Sequence, residues 1–129
     1  MQVRNLMKRP VVAVEPEESL EAAAKAMTEH NIGSVVVERG EAMVGIITER
    51  DVLRAVAAGE AGTARVGDYM TADVVTASPN WDVTVAATEM TNRRIRHLVV
   101  WEQDHPVGVV SVRDVLQVFL PERVHQQEG

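Results

Sequence analysis

The chain has 129 residues, 46% apolar and 25% charged, a balance that suits one compact globular domain or two very small ones. A net charge of −6 and a pI near 5.2 argue against nucleic-acid binding, which needs a basic field. No apolar run reaches the length of a membrane span, no signal-peptide core is visible, and the absence of cysteine excludes disulfides and thiolate metal sites, so a cytoplasmic protein is expected.

In chain order, Val3 to Met7 reads as a short helix, and Val11 to Val14 as an extended segment running into Pro16. Leu20, Ala23, Ala24 and Met27 then recur at the spacing of one helical face, with Ser19 as N-cap. A strand is predicted from Ser34 to Glu38, a polar turn at Glu38 to Glu41, and a return strand from Met43 to Thr48. A helix follows from Glu49 to about Ala58, and Gly59 to Thr63 is a small-residue linker.

The whole pattern then returns at a constant offset of 63 residues, without a gap, from Val3/Val66 to Val56/Phe119. Met7 meets Met70, Pro16 meets Pro79, and Met27-Thr28 meets Met90-Thr91. Arg50-Asp51-Val52-Leu53 meets Arg113-Asp114-Val115-Leu116. The second copy predicts a helix with Val83, Ala86, Ala87 and Met90 on one face and Asp82 as N-cap. Strands follow at His97 to Glu102 and Pro106 to Ser111, then a helix from Val112 to about Leu120. Pro121 stops that helix, and residues 122–129 read as a polar tail. The expected organisation is α+β: a repeat over 1–60 and another over 61–129, each β-α-β-β-α. Neither covers its sheet alone, so the two are expected to pack about a pseudo-twofold axis with matched loops across a cleft. A core of small and β-branched side chains on so short a chain also points to a homodimer.

The chemistry concentrates in Gly45-Ile46-Ile47-Thr48-Glu49-Arg50-Asp51 and its copy Gly108-Val109-Val110-Ser111-Val112-Arg113-Asp114. A hydroxyl at a helix start with an acid three residues on resembles a capping box, although Asp is shorter than the Glu or Gln that such a box prefers. The same geometry suits a ligand. Free N–H groups at a helix start attract phosphate, and a carboxylate one turn in can accept hydrogen bonds from a ribose diol. Gly45 could let that ligand approach the backbone. Doubling within a matched repeat favours binding over capping alone.

Arg93-Arg94-Ile95-Arg96-His97 clusters cations in an acidic chain. It reads either as a solvated helix end or as a phosphate grip, with Arg96 nearest the strand. The first copy has His30-Asn31-Ile32-Gly33-Ser34 there, so the two clefts should differ. Trp81 reads as a packing aromatic, and the four histidines show no metal-ligand spacing.

With its preceding His-Asn-Ile-Gly-Ser, the doubled Gly-x-x-Thr/Ser-x-Arg-Asp motif makes the sequence resemble the cystathionine-β-synthase (CBS) domain pair, or Bateman module. The resemblance runs from about Val3 to Leu120. It implies a small stand-alone tandem pair with two clefts for adenosine-type ligands. By that likeness Asp51 and Asp114 contact ribose, Thr48 and Ser111 contact ribose or phosphate, and Arg50 and Arg113 belong to the same clefts. Ala23, Ile32 and Gly33, with Ala86, Ile95 and Arg96, flank the base; Arg96 and His97 reach phosphates. One cleft would join Ile32, Gly33 and Ala23 to Ser111, Arg113 and Asp114. The other would join Ile95, Arg96 and Ala86 to Thr48, Arg50 and Asp51.

The expected function is a non-catalytic energy sensor that binds AMP, ADP or ATP and modulates a protein target or its own assembly. It has no catalytic cofactor, no metal, no membrane and no nucleic-acid partner. The alternative is a structural dimerisation module with empty clefts.

Overall fold

A computed structural model describes residues 1–120; the expected stop at Pro121 and the tail at 122–129 lie outside the described residues. The chain forms two compact units. One is Pro10–Val75; the other joins Met1–Arg9 to the chain from Thr76 onward.

In the unit Pro10–Val75, β1 (Ala13–Val14) leads to α1 (Leu20–His30), then β2 (Ser34–Arg39), β3 (Ala42–Thr48), α2 (Glu49–Ala57) and α3 (Val66–Tyr69). The sheet order is β1-β2-β3, with β1 parallel and β3 antiparallel to β2. Ser19 caps α1 by accepting a hydrogen bond from the Ala22 amide at 3.1 Å, and Asn31 ends it in the left-handed conformation. Leu20, Ala23 and Met27, spaced three and four apart, bury one stripe of α1 in a core with Val35, Val37 and Ile47. Val36, on the opposite pleat, is also fully buried, which explains why β2 reads as an unbroken apolar run rather than an alternation.

The second unit repeats this plan with β4 (Thr76–Ala77), α4 (Val83–Arg93), β5 (His97–Glu102), β6 (His105–Ser111) and α5 (Val112–Phe119). Its sheet order is β4-β5-β6 with the same parallel and antiparallel pairing. Asp82 caps α4 by accepting from the Thr84 amide at 3.0 Å. Gln103 and Asp104, both with positive φ, make the tight turn of the β5–β6 hairpin. The architecture is thus α+β, with two three-stranded sheets and helices that connect or follow their strands.

The first predicted helix is shorter than Val3 to Met7: it is one 3-10 turn, Val3–Asn5. Its place is set by backbone bonds far along the chain. The Val3 amide donates to the Trp81 carbonyl at 2.8 Å, and the Arg4 amide to the Pro79 carbonyl at 3.0 Å. The copies of those bonds run the other way: Val66 donates to Glu18 and Gly67 to Pro16, each at 2.8 Å. The two leading segments are therefore exchanged. Residues 1–9 complete the unit that holds the second repeat's sheet, and α3 completes the first.

Candidate functional site

Each unit builds one strand-to-helix corner. In the unit Pro10–Val75 the corner joins β3 to α2. Thr48 is extended, at φ −119° and ψ 165°, and its hydroxyl accepts from the Asp51 amide at 3.3 Å. That hydroxyl donates to Asp51 Oδ2 at 3.0 Å, and the Thr48 amide donates to the same oxygen at 2.9 Å. Asp51, although shorter than the Glu or Gln that such a box prefers, closes it here. The cap's amide and hydroxyl converge on one carboxylate oxygen, so a short side chain closes the loop. The second corner, from β6 to α5, is built alike. Ser111 donates to Asp114 Oδ2 from both its amide and its hydroxyl at 2.9 Å, and accepts from the Asp114 amide at 3.1 Å.

The box consumes Oδ2 and leaves Oδ1. Asp51, only 6% exposed, has Oδ1 held by the Arg54 guanidinium at 2.9 Å. Asp114 has Oδ1 facing Lys8 Nζ at 3.7 Å, a looser ion pair with no hydrogen bond. Both cations lie mostly in solvent, with side chains 60% and 63% exposed, while the carboxylates they face are 8% and 13% exposed.

The residues before the second strand of each sheet close the corners from the side. The Glu49 amide donates to the Gly33 carbonyl at 3.0 Å, and the Val112 amide donates to the Arg96 carbonyl at 2.8 Å. In register, Ser34 faces Thr48 and His97 faces Ser111. Within its own unit, then, the Gly33 backbone stands beside the Thr48–Glu49 junction, and the Arg96 and His97 backbone stands beside Ser111 and Val112. Ile32 and Ile95 are half-buried at the helix-to-strand turns, their amides donating to the Met27 and Met90 carbonyls at 2.9 and 3.0 Å. Arg50 and Arg113 are exposed on the first turns of α2 and α5. Ala23 and Ala86 are fully buried, on the core stripes of α1 and α4.

The arginine cluster divides. Arg93 Nε bonds Glu89 Oε2 at 2.7 Å, and Arg94 is the left-handed C-cap of α4. Arg96 alone of the three adjoins a corner. Two residues beside the carboxylates escaped the sequence reading, Lys8 and Arg54. Their repeat mates are Thr71 and Gln117, so a search for identities passes over them; a search for charge differences between the copies finds both.

The two glycines preceding the corners serve the protein's own chain. A β-carbon on Gly45 would meet Met70 Sδ and the Thr71 carbonyl oxygen at 2.8 Å; one on Gly108 would meet Met7 Sδ at 2.9 Å and the Lys8 carbonyl at 3.0 Å. The reading of Gly45 as a ligand approach gives way to close packing of the leading segment.

A separate cavity of about 520 Å³ is lined by Glu60, Thr63, Ala64, Asp68 and Tyr69. The Tyr69 hydroxyl donates to Glu60, and that bond raises the tyrosine pKa. Arg54 lies 5.6 Å over the Tyr69 ring, so one side chain touches both this aromatic and the Asp51 carboxylate.

No helix among the described residues is long and apolar enough to cross a membrane. The CBS domain family matches residues 3–58 and again 66–121. The CBS domain-containing protein YhcV of Bacillus subtilis is 34% identical over 115 residues, covering 88% of this chain and 81% of that protein. A solved CBS-domain protein of Agrobacterium tumefaciens superposes with a TM-score of 0.85 at 33% identity, over 93% of this chain and all of that one. The CBS domain pair of protein MJ0100, solved in complex with 5-methylthioadenosine and S-adenosyl-L-methionine, gives 0.84 at 26% identity over 92% of this chain and 95% of that one. With a doubled family match and a doubled corner, the chain belongs to the CBS domain family as a tandem pair, a regulatory module.

Proposed function

We propose that the module is a non-catalytic sensor that binds an adenosine-type ligand, AMP, ADP or ATP, at its strand-to-helix corners. The reading rests on one observation. Two repeat-related carboxylates each lock Oδ2 in a capping box and leave Oδ1 to an exposed, displaceable cation. A ribose diol supplies the donors that such an oxygen accepts. Ile32 and Gly33, or Ile95, Arg96 and His97, border the corner in each unit, and Arg50 and Arg113 add cations on the first helical turns. The adenosine compounds bound by the MJ0100 pair support the ligand class. Two like carboxylates in like settings suit binding twice better than unlike acid and base roles. Binding shifts the module between states that a protein target or a second copy distinguishes.

The test is calorimetry with AMP, ADP and ATP on wild type and on the Asp51→Asn/Asp114→Asn double variant. Asn keeps an oxygen for the box and replaces the outward acceptor with a donor. A loss on the order of 1–3 kcal/mol of binding supports the reading; unchanged affinity removes both carboxylates from it.

A second reading, self-assembly, is favoured by apolar side chains left in solvent at matched positions. Leu53 and Val56 on α2 are 67% and 59% exposed; Leu116 and Phe119 on α5 are 54% and 62% exposed. These faces suit a homodimer. Sedimentation of wild type as a monomer across the micromolar range would remove this reading.

A further inference from the structure

We infer that Arg54 is a relay: a ligand at the Thr48–Asp51 corner moves it from the Asp51 carboxylate onto Tyr69, and so reports occupancy to the segment that joins the two repeats. The inference rests on the proposal that this corner takes a ribose, and deepens it by naming the part of the protein that responds.

The contacts form one chain within the unit Pro10–Val75. Arg54 donates to Asp51 Oδ1 at 2.9 Å, and its guanidinium carbon lies 5.6 Å from the centre of the Tyr69 ring. The Tyr69 hydroxyl donates to Glu60, which lies in the stretch between α2 and α3. The carbonyl of Glu60 in turn accepts from the Thr63 and Ala64 amides at 3.1 and 2.9 Å. Tyr69 closes α3, whose backbone is held by the Val66–Glu18 and Gly67–Pro16 bonds. The ring is therefore fixed in place while Arg54, 60% exposed, is free to turn.

Counting acceptor sites shows why a ribose shifts it. Each carboxylate oxygen offers two lone pairs. The Thr48 amide and hydroxyl fill both on Oδ2, and Arg54 fills one of the two on Oδ1. A ribose diol brings two donors, so taking both sites on Oδ1 leaves Arg54 without a place. Its charge then turns to the Tyr69 ring face, with the Glu60 and Asp68 carboxylates also facing the tyrosine.

The relay belongs to one corner. The repeat mates of Arg54 and Tyr69 are Gln117 and Leu6, which supply neither the cation nor the ring. The Ser111–Asp114 corner thus repeats the capping box without this connection. The two corners then differ in what they report, even where they bind alike.

The experiment uses the full chain with its single tyrosine isotope-labelled, AMP as the probe, NMR of the ring resonances and calorimetry on the same samples. Saturating AMP is expected to shift the ring resonances of wild type and to leave those of Arg54→Gln in place. Gln can still donate to Asp51 but brings no charge to the ring. By linkage, a ring that stabilises the occupied state also contributes to affinity. Tyr69→Leu keeps the apolar packing of this position against the core, and should weaken AMP binding about two- to fivefold. In the Arg54→Gln background the same change should have no effect on affinity. Ring resonances that stay put while calorimetry shows AMP bound overturn the relay and leave the nucleotide reading standing. A shift of equal size in Arg54→Gln also overturns it, because the signal then travels by another route. If AMP does not bind wild type, the nucleotide reading falls and takes the relay with it.

Discussion

Gly45 and Thr71 lie so close that a β-carbon on the glycine would stand 2.8 Å from the threonine's carbonyl oxygen. That carbonyl cannot retreat, because it accepts from the Ile46 amide at 2.9 Å. Gly45→Ala should therefore destabilise the protein by about 1–3 kcal/mol, the usual cost of overpacking. Gly62→Ala is the control: a β-carbon there meets nothing within 4 Å, and its effect should be within about 0.5 kcal/mol. Urea unfolding of the two variants gives the comparison, and equal midpoints would contradict the packing account.

The capping boxes have a stability of their own, apart from any ligand. Asp51→Ala leaves the Thr48 amide and hydroxyl without their acceptor and frees Arg54. The expected loss is about 1–2 kcal/mol. Asp51→Asn, which keeps an oxygen for the box, should lose less. Denaturant curves for the pair separate the box from the charge; equal losses in the two variants would show that the charge, not the box, dominates.

Tyr69 is the protein's single tyrosine, so its ionisation can be followed by ultraviolet absorbance without ambiguity. The hydrogen bond to Glu60 raises its pKa above the ordinary value of 10.0. A raised pKa in the folded state means the contribution to stability is full below the unfolded value. It fades as pH rises through the folded one. The wild-type titration should lie above that of a tyrosine model compound, and Glu60→Gln should bring it down. Coincident curves for wild type and variant would dismiss the contact.

The exposed leucines give a separate test of assembly. Leu53→Glu and Leu116→Glu each place a charge where an apolar side chain meets solvent in the single chain. Neither should lower the unfolding midpoint of the monomer appreciably, and both should weaken self-association by at least about tenfold if these faces meet in a dimer. Sedimentation velocity across a concentration series reads the outcome; unaltered association would direct attention to other surfaces.

The elements that sequence patterning resolved are those governed by local physics. Leu20, Ala23 and Met27 announce α1 through helical spacing, Ser19 and Asp82 announce its start and that of α4 through side-chain acceptors, and the offset of 63 residues announces that each unit is built twice. The strand-to-helix corners were legible for the same reason, since Thr48 and Asp51, like Ser111 and Asp114, lie within one turn of each other. The role of Gly45 was not, because the atoms that exclude a side chain there belong to Met70 and Thr71, well along the chain.

The sequence by itself determined the repeat, the order of strands and helices, and the pairing of hydroxyl with carboxylate. Only the tertiary structure decided which leading segment completes which unit, and hence that Lys8 stands beside Asp114 while Thr71 stands beside Ile46. Val3 and Val66 open copies of one pattern, and either could dock on either sheet with the same local contacts. Local propensity is equal for the two arrangements; the choice belongs to the path of the chain through space, which no short-range pattern records.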